Sequence, residues 1–437
     1  MWWWDFAFIC GLLFLFMATG MPVAFAFLAV NVIGAWVYWG GSAGITQMVL
    51  AVQDSVASFS ILPVPLFILM GEVLFRSGLA AKLMDVIDAW LGRVPGRLSL
   101  MAVAGGTLFA TLTGSGSAAT ALLGRILVPD MARRGYKLPM SIGPVMGSGG
   151  LAIMIPPSAL AVLLAAVADI NVGQVLLAIV MPGFTMAVFY AVYVVLRCWL
   201  QPDLAPGYAP TNVPFGLKIR NTLVYVFPLV VIVFLVTGLI FLGVATPSES
   251  AALGVLGAVL LAAAYRTLSW TMLLECTTST LLTTIMVLAV LTGSTAFSQL
   301  LAFTGASSGI VELATSSNWS PIMVVIMMQL VLLLLGTFME SLAMIMLAAP
   351  IYFPIVTALG LSPIWFAAIM LLNMEMASLS PPFGFSLFVA KAVAPEGTTM
   401  MDIYKASVPF LLLNTAVMLL MIFYPPLVMT LPGLGGK

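Results

Sequence analysis

Thr113-Gly114-Ser115-Gly116-Ser117 interrupts one apolar run, and 42 residues after Gly114 a second interruption, Ile155-Pro156-Pro157-Ser158, breaks the next. The same punctuation returns later in the chain. Gly71 precedes Gly114 by 43 residues, just as Gly293 precedes Gly336 by 43, and Gly336 is followed after 45 by Pro381 in Ser380-Pro381-Pro382-Phe383-Gly384. The next proline breaks, Met181-Pro182-Gly183-Phe184 and Val408-Pro409-Phe410, come 25 residues after Pro157 and 27 after Pro382. Agreement at every step marks an internal repeat, in which each half carries a glycine-centred break and then a Pro-Pro break.

Composition decides where such a repeat resides. Of 437 residues, 62% are hydrophobic and 7% charged, against about 25% charged in a soluble domain. Runs such as Phe6 to Trp39, Leu223 to Leu242 and Leu411 to Tyr424 are long enough to cross a bilayer as helices, since about 20 apolar residues span the hydrocarbon core. Roughly nine crossings plus partial ones fit the chain. The first run reads as a retained helix, with Trp2 to Trp4 as an interfacial anchor. Fifteen basic residues balance fifteen acidic ones, so no global field attracts nucleic acid. With no histidine and with Cys10, Cys198 and Cys276 scattered among apolar neighbours, zinc, haem and Cys/His chemistry lack ligands.

The basic residues orient the halves, because Lys and Arg collect in short cytoplasmic loops. Residues 98–124 are flanked by Arg76, Lys82, Arg93 and Arg97 on one side and by Arg125, Arg133, Arg134 and Lys137 on the other. Both ends are therefore expected in the cytoplasm, and a segment too short for two crossings must dip in and return. The corresponding flanks in the second half, Phe303 to Trp319 and Ile351 to Leu361, hold no Lys or Arg, so that hairpin is expected to open to the opposite side. The expected fold is an all-α polytopic membrane protein with two inverted-topology repeats, each with a re-entrant helical hairpin and a broken transmembrane helix. Residues 1–199 form the first repeat (hairpin 98–124, broken helix 139–168) and 200–246 a cytoplasmic linker and connecting helix. Residues 247–437 form the second repeat (hairpin 320–349, broken helix 363–390). The N-terminus is expected in the cytoplasm and the C-terminus in the periplasm.

Irregular backbone at membrane depth survives only where protein buries it or it lines a wet cavity. Broken helices in inverted repeats offer carbonyl and hydroxyl oxygens to Na⁺ and half-helix N-termini to anionic groups, so two ion sites with a substrate between them are expected. Intramembrane acids are costly and face a cavity or a partner; Glu72, Glu340 and Glu375 are the candidates, whereas Asp169 and Glu249 read as loop residues.

The sequence resembles the large membrane subunit of tripartite ATP-independent periplasmic (TRAP) transporters, the DctM-like permeases, over nearly its whole length. The resemblance is carried by Pro65-Leu66-Phe67-Ile68-Leu69-Met70-Gly71-Glu72, Ile155-Pro156-Pro157-Ser158, Gly336-Thr337-Phe338-Met339-Glu340-Ser341, and Asn373 through Ser380-Pro381-Pro382-Phe383-Gly384 to Leu387-Phe388. It implies a bacterial inner-membrane secondary transporter driven by Na⁺, with no organic cofactor. It also implies two protein partners, a periplasmic substrate-binding protein and a small four-helix membrane subunit, and an elevator motion of hairpins and broken helices against a scaffold. Carried over residue by residue, it places one Na⁺ at Gly114, Ser115, Gly116 and Ser117 with Ser148, Gly149 and Pro156. A second Na⁺ falls at Gly336, Thr337, Met339 and Glu340 with Ser378, Ser380 and Pro381. Substrate, a small organic anion, is expected between them against Ser117, Thr120, Pro157, Ser158, Ser341 and Pro382. The sequence departs from the family at the first tip, where Thr113-Gly114-Ser115 stands for a common Ser-Gly-Ser and Gly116-Ser117 permits a two-residue shift in register. It also departs at the second tip, where Glu340 stands in place of a common Asp, and at Ser380, where Thr is common.

Three other readings compete with a Na⁺-coupled importer of a small organic acid. An ion-coupled dicarboxylate symporter or exchanger could act without a binding protein, and a passive channel could use carbonyl-lined re-entrant loops, although channels usually build those by symmetry around an axis. An intramembrane enzyme needs a nucleophile and a base, and no such motif stands out.

Overall fold

The computed structural model describes residues 2–92, 94–113, 116–207, 213–316 and 319–435, and all regular structure among them is helical. Helices follow from the apolar runs, because in lipid each peptide group must find its partner within its own segment. Where spans begin, short polar side chains take up the N–H groups that a first turn leaves over. Thr246 and Glu249 form a reciprocal capping box before Pro247–Ala264, and Thr399 and Asp402 form another before Met400–Phe423. Ser320 and Ser362 cap Pro321–Gly336 and Pro363–Leu379, both with proline in the first turn, where its missing N–H costs nothing. Glu249, expected in a loop, is thus part of a helix start.

Among the described residues, six helices are long and apolar enough to cross a membrane, or up to eight counting two bent pairs as spans. The expected count of nine is higher because several apolar runs divide. Phe6 to Trp39 forms two helices, Trp2–Ala18 and Val23–Tyr38, separated by a turn at Gly20 (φ 83°) and Pro22.

The breaks expected at 155–158, 336–341 and 380–384 are present, and at the first a helix ends at Thr113 and another starts at Gly116, with residues 114 and 115 outside those described. Hairpin 1 consists of Arg97–Thr113 and Gly116–Arg133, and hairpin 2 of Pro321–Gly336 and Ser341–Ala358. Broken helix 1 runs over Leu138–Gly149 and Leu151–Met154, then restarts at Ala159–Val167 after a 46° bend. Broken helix 2 runs over Pro363–Leu379 and restarts at Phe385–Val393. Both hairpins extend further than their expected ends at 124 and 349. Gly116–Arg133 continues through Pro129, and Ser341–Ala358 through Pro350 and Pro354, because neighbouring elements re-satisfy backbone freed by proline inside a membrane bundle.

These broken elements pack as one body. Gly106 of hairpin 1 lies so close to broken helix 1 that a Cβ would stand 2.5 Å from the Ser148 carbonyl oxygen. Gly143 and Gly147, one turn apart, receive the Phe410 ring from Met400–Phe423, a small-residue contact typical of membrane helices. Gly124 of hairpin 1 faces Val393 of broken helix 2, so the two halves interlock.

A second group of helices forms a wall. Val23–Tyr38, Pro63–Arg76, Pro247–Ala264 and the 34-residue Trp270–Phe303 pack together. Phe27 meets Phe297 edge to face with centroids 5.3 Å apart, and the Asn31 amide donates to the Gly293 carbonyl at 2.6 Å. The Ser294 hydroxyl, donating to the Met346 carbonyl at 2.5 Å, joins wall to hairpin 2.

Candidate functional site

Each break exposes the end of one helix and the start of the next. A helix start carries unpaired N–H groups and partial positive charge, and a helix end carries unpaired carbonyls. At break 1 the Ser158 hydroxyl, fully buried, accepts from the Ala161 N–H and starts the second half-helix. At break 2 the Gly384 N–H donates to the Ser380 carbonyl at 3.1 Å. Only glycine fits at 384, because a Cβ would stand 2.4 Å from the Ser378 carbonyl oxygen. In hairpin 2, Gly336 packs directly on Ala377, where a Cβ would come within 2.2 Å of the alanine methyl.

All four starts open on one cavity of about 300 Å³, since Gly116, Ala159, Ser341 and Phe385 all line it. Its opposite side is the wall, through Phe67 and Glu72 of Pro63–Arg76 and Thr283 and Met286 of Trp270–Phe303. Three carboxylate residues, Glu72, Glu340 and Glu375, line the cavity, whereas no Lys or Arg does so among the described residues. Glu72 is tied down, with Arg76 at 3.2 Å and the Ser279 hydroxyl donating to it at 2.8 Å. Arg76 in turn reaches Glu275 at 2.5 Å. Glu340, the residue before Ser341–Ala358, makes no side-chain capping bond to it, and Glu375 is buried.

The expected site residues divide by depth. Gly116, Ser117, Pro157, Met339, Glu340, Ser341 and Ser378 line the cavity. Behind it, the buried Thr120 donates to the Gly116 carbonyl at 2.9 Å and packs on Gly149, which fastens hairpin 1 to broken helix 1. Ser148 is buried with its hydroxyl bonded to the Pro144 carbonyl. Pro156 and Ser158 are buried beside Pro157. Thr337 donates to the Leu334 carbonyl at 2.8 Å, and Gly336 faces Ala377. Ser380 and Pro381 lie in the break, and the Pro382 carbonyl accepts from the Tyr404 hydroxyl at 2.8 Å. Gly114 and Ser115 lie outside the described residues.

Sequence reading passed over Ser386, whose hydroxyl donates to Ser378 at 3.1 Å and which also lines the cavity. Its place in the first turn of a restarted half-helix was the available signal. The wall residues Thr283 and Met286 carried none, because they belong to an unbroken helix. Among the described residues no three His, Cys, Asp or Glu side chains gather as a metal site.

The fold resembles that of the MtrF transporter of Neisseria gonorrhoeae, with a TM-score of 0.66 at 14% identity over 92% of this chain and 94% of that one. In sequence, the C4-dicarboxylate TRAP transporter large permease protein DctM of Pseudomonas aeruginosa is 31% identical over 91% of this chain and 94% of its own length. The isethionate TRAP transporter permease protein DctMQ of Oleidesulfovibrio alaskensis is 29% identical over 96% of this chain, which spans 65% of that longer protein. Residues 10–427 match the family described as the DctM component of the tripartite ATP-independent periplasmic transporters. The protein is therefore a multi-pass membrane transporter subunit, a TRAP large permease of the DctM family.

Proposed function

We propose that this permease imports a small organic acid by coupling it to a Na⁺ gradient, with the cavity as the shared site of substrate and ions. The observation that carries the reading is the meeting of four broken segments in one cavity, against a wall formed by Pro63–Arg76 and the continuous helix Trp270–Phe303. The four half-helix starts supply partial positive charge for an anion in a cavity that no Lys or Arg lines among the described residues. The oxygen-rich surroundings suit a hard monovalent cation, with the Ser117 and Ser378 hydroxyls on the cavity and helix-end carbonyls beside them. One Na⁺ is assigned to Gly114 to Ser117 with Ser148, Gly149 and Pro156, and the other to Gly336, Thr337, Met339 and Glu340 with Ser378, Ser380 and Pro381. Substrate then contacts Ser117, Pro157 and Ser341, while Thr120, Ser158 and Pro382 shape the site from behind.

The division into interlocked breaks and wall supports an elevator, in which the first body slides along Pro63–Arg76 and Trp270–Phe303. Substrate arrives from a periplasmic binding protein, and a small membrane subunit completes the wall. The greater length of the DctMQ relative is compatible with a small subunit joined to a large one. The distribution of Lys and Arg favours an inner-membrane orientation with a cytoplasmic N-terminus and a periplasmic C-terminus.

The test is reconstitution in proteoliposomes with candidate small-subunit and binding-protein partners. Uptake of a panel of acids, including C4-dicarboxylates and isethionate, is measured with and without an inward Na⁺ gradient. Accumulation that needs both the gradient and the binding protein supports the proposal. Uptake indifferent to Na⁺ would make the protein a facilitator, and uptake without a binding protein a free-standing symporter.

A further inference from the structure

Glu375 is a carboxylate with almost no partner among the described residues. Its residue is 1% exposed, Oε1 has no hydrogen-bond partner among the described residues, and Oε2 has the Ser378 hydroxyl at 3.4 Å, a distance at which the bond is weak. The group comes from broken helix 2 but lies on first-half backbone. A Cβ built on Gly150 would stand 1.6 Å from its carboxyl carbon, so the carboxyl group sits directly over that glycine. The point where Gly116 at the tip of hairpin 1 would carry a Cβ is 3.5 Å from Glu375 Oε2 and 3.4 Å from the Gly149 carbonyl oxygen. Hairpin 1, broken helix 1 and a carboxylate from the opposite repeat thus surround one position.

A buried carboxylate demands a counter-charge or a dense set of donors. Hydrogen bonding supplies one weak donor here, and no basic side chain shares the cavity among the described residues. We propose that Glu375 is a direct ligand of the cation at the tip of hairpin 1, so that the first Na⁺ site is closed by a carboxylate from the second repeat. The inference rests on the sodium-coupled reading and alters its ion site, which the sequence had drawn from first-half residues alone. Glu375 then also links the two ions, because Ser378, bonded to both Glu375 and Ser386, belongs to the second set. Occupation of the first site pulls the Glu375 carboxylate toward Gly149 and sets the position of Ser378, which makes sodium binding cooperative.

The experiment uses the full-length chain in detergent. Binding of radioactive sodium and the melting temperature are measured as NaCl replaces KCl at constant ionic strength. Glu375→Gln and Gly116→Ala are compared with wild type, Ser380→Ala and the exposed-surface control Glu312→Gln. Glu375→Gln is expected to weaken sodium binding at least about tenfold and to flatten its cooperativity, while Glu312→Gln follows wild type. Gly116→Ala places a methyl group at the shared position with every contact 3.4 Å or longer, so it blocks the ion without crowding the fold. It decides the matter if Glu375→Gln does not fold. Wild-type sodium affinity in both Glu375→Gln and Gly116→Ala, with Ser380→Ala weakened, would overturn the role of Glu375 and leave sodium coupling standing. Absence of any sodium response in wild type would remove both.

Discussion

The Ser279 hydroxyl donates to Glu72 Oε1 at 2.8 Å across 207 positions of sequence, and this bond fastens Pro63–Arg76 to Trp270–Phe303 beside the cavity. Arg76 reinforces the same junction by reaching both Glu72 and Glu275. The ion pairs are partly exposed, with the Arg76 side chain 33% accessible, and surface pairs of this kind contribute little. The hydroxyl bond, part-buried and made to a charged acceptor, is the stronger tie.

Ser279→Ala should therefore lower stability by about 1 kcal/mol and slow uptake more than it lowers abundance, because the wall against which the broken elements rest is loosened. Thermal unfolding in detergent beside uptake per unit of protein checks both parts. A variant with wild-type uptake would show that the junction is not needed for transport.

Gly336→Ala should unseat hairpin 2, because the new methyl would stand 2.2 Å from the Ala377 Cβ. Overpacking of this kind costs about 1–3 kcal/mol. Adding Ala377→Gly removes the opposing methyl and should restore most of the loss, with Met344 adjusting as a flexible side chain. A double-mutant cycle on melting temperature and uptake measures the coupling, and strict additivity would argue against the contact.

Ser378→Ala should raise the sodium concentration for half-maximal uptake severalfold, since its hydroxyl lines the cavity and touches Glu375 and Ser386. Ser386→Ala, which removes one donor to Ser378, should shift it less. Initial uptake rates against sodium concentration separate the two, and the reverse order would place the ion nearer Ser386.

Thr246→Ala removes a capping box at the start of Pro247–Ala264 and should cost about 1 kcal/mol of stability. The cap lies outside the cavity lining, so sodium dependence should stay as in wild type. A changed half-saturation would show that this helix end communicates with the ions.

How much was legible beforehand follows from the kind of signal each feature leaves. A helix break is written locally, in glycine and proline, and the expected breaks at 113–117, 155–158, 336–341 and 380–384 fall where helices stop and restart. Helix ends inside an apolar run are harder, because proline does not stop a helix whose neighbours supply the missing partners. Gly116–Arg133 thus continues through Pro129, and Ser341–Ala358 through Pro350 and Pro354, past the expected ends at 124 and 349.

From sequence alone came the class, the repeat and the residues that interrupt each half, because hydropathy and backbone restriction act over a few neighbours. Only tertiary structure decided that the four interruptions share one cavity, that Thr120 and Ser148 stand behind it, and that Glu375 lies on Gly150. Those relations join residues far apart in the chain. They depend on which small residues let two backbones approach, and no local pattern records the partner.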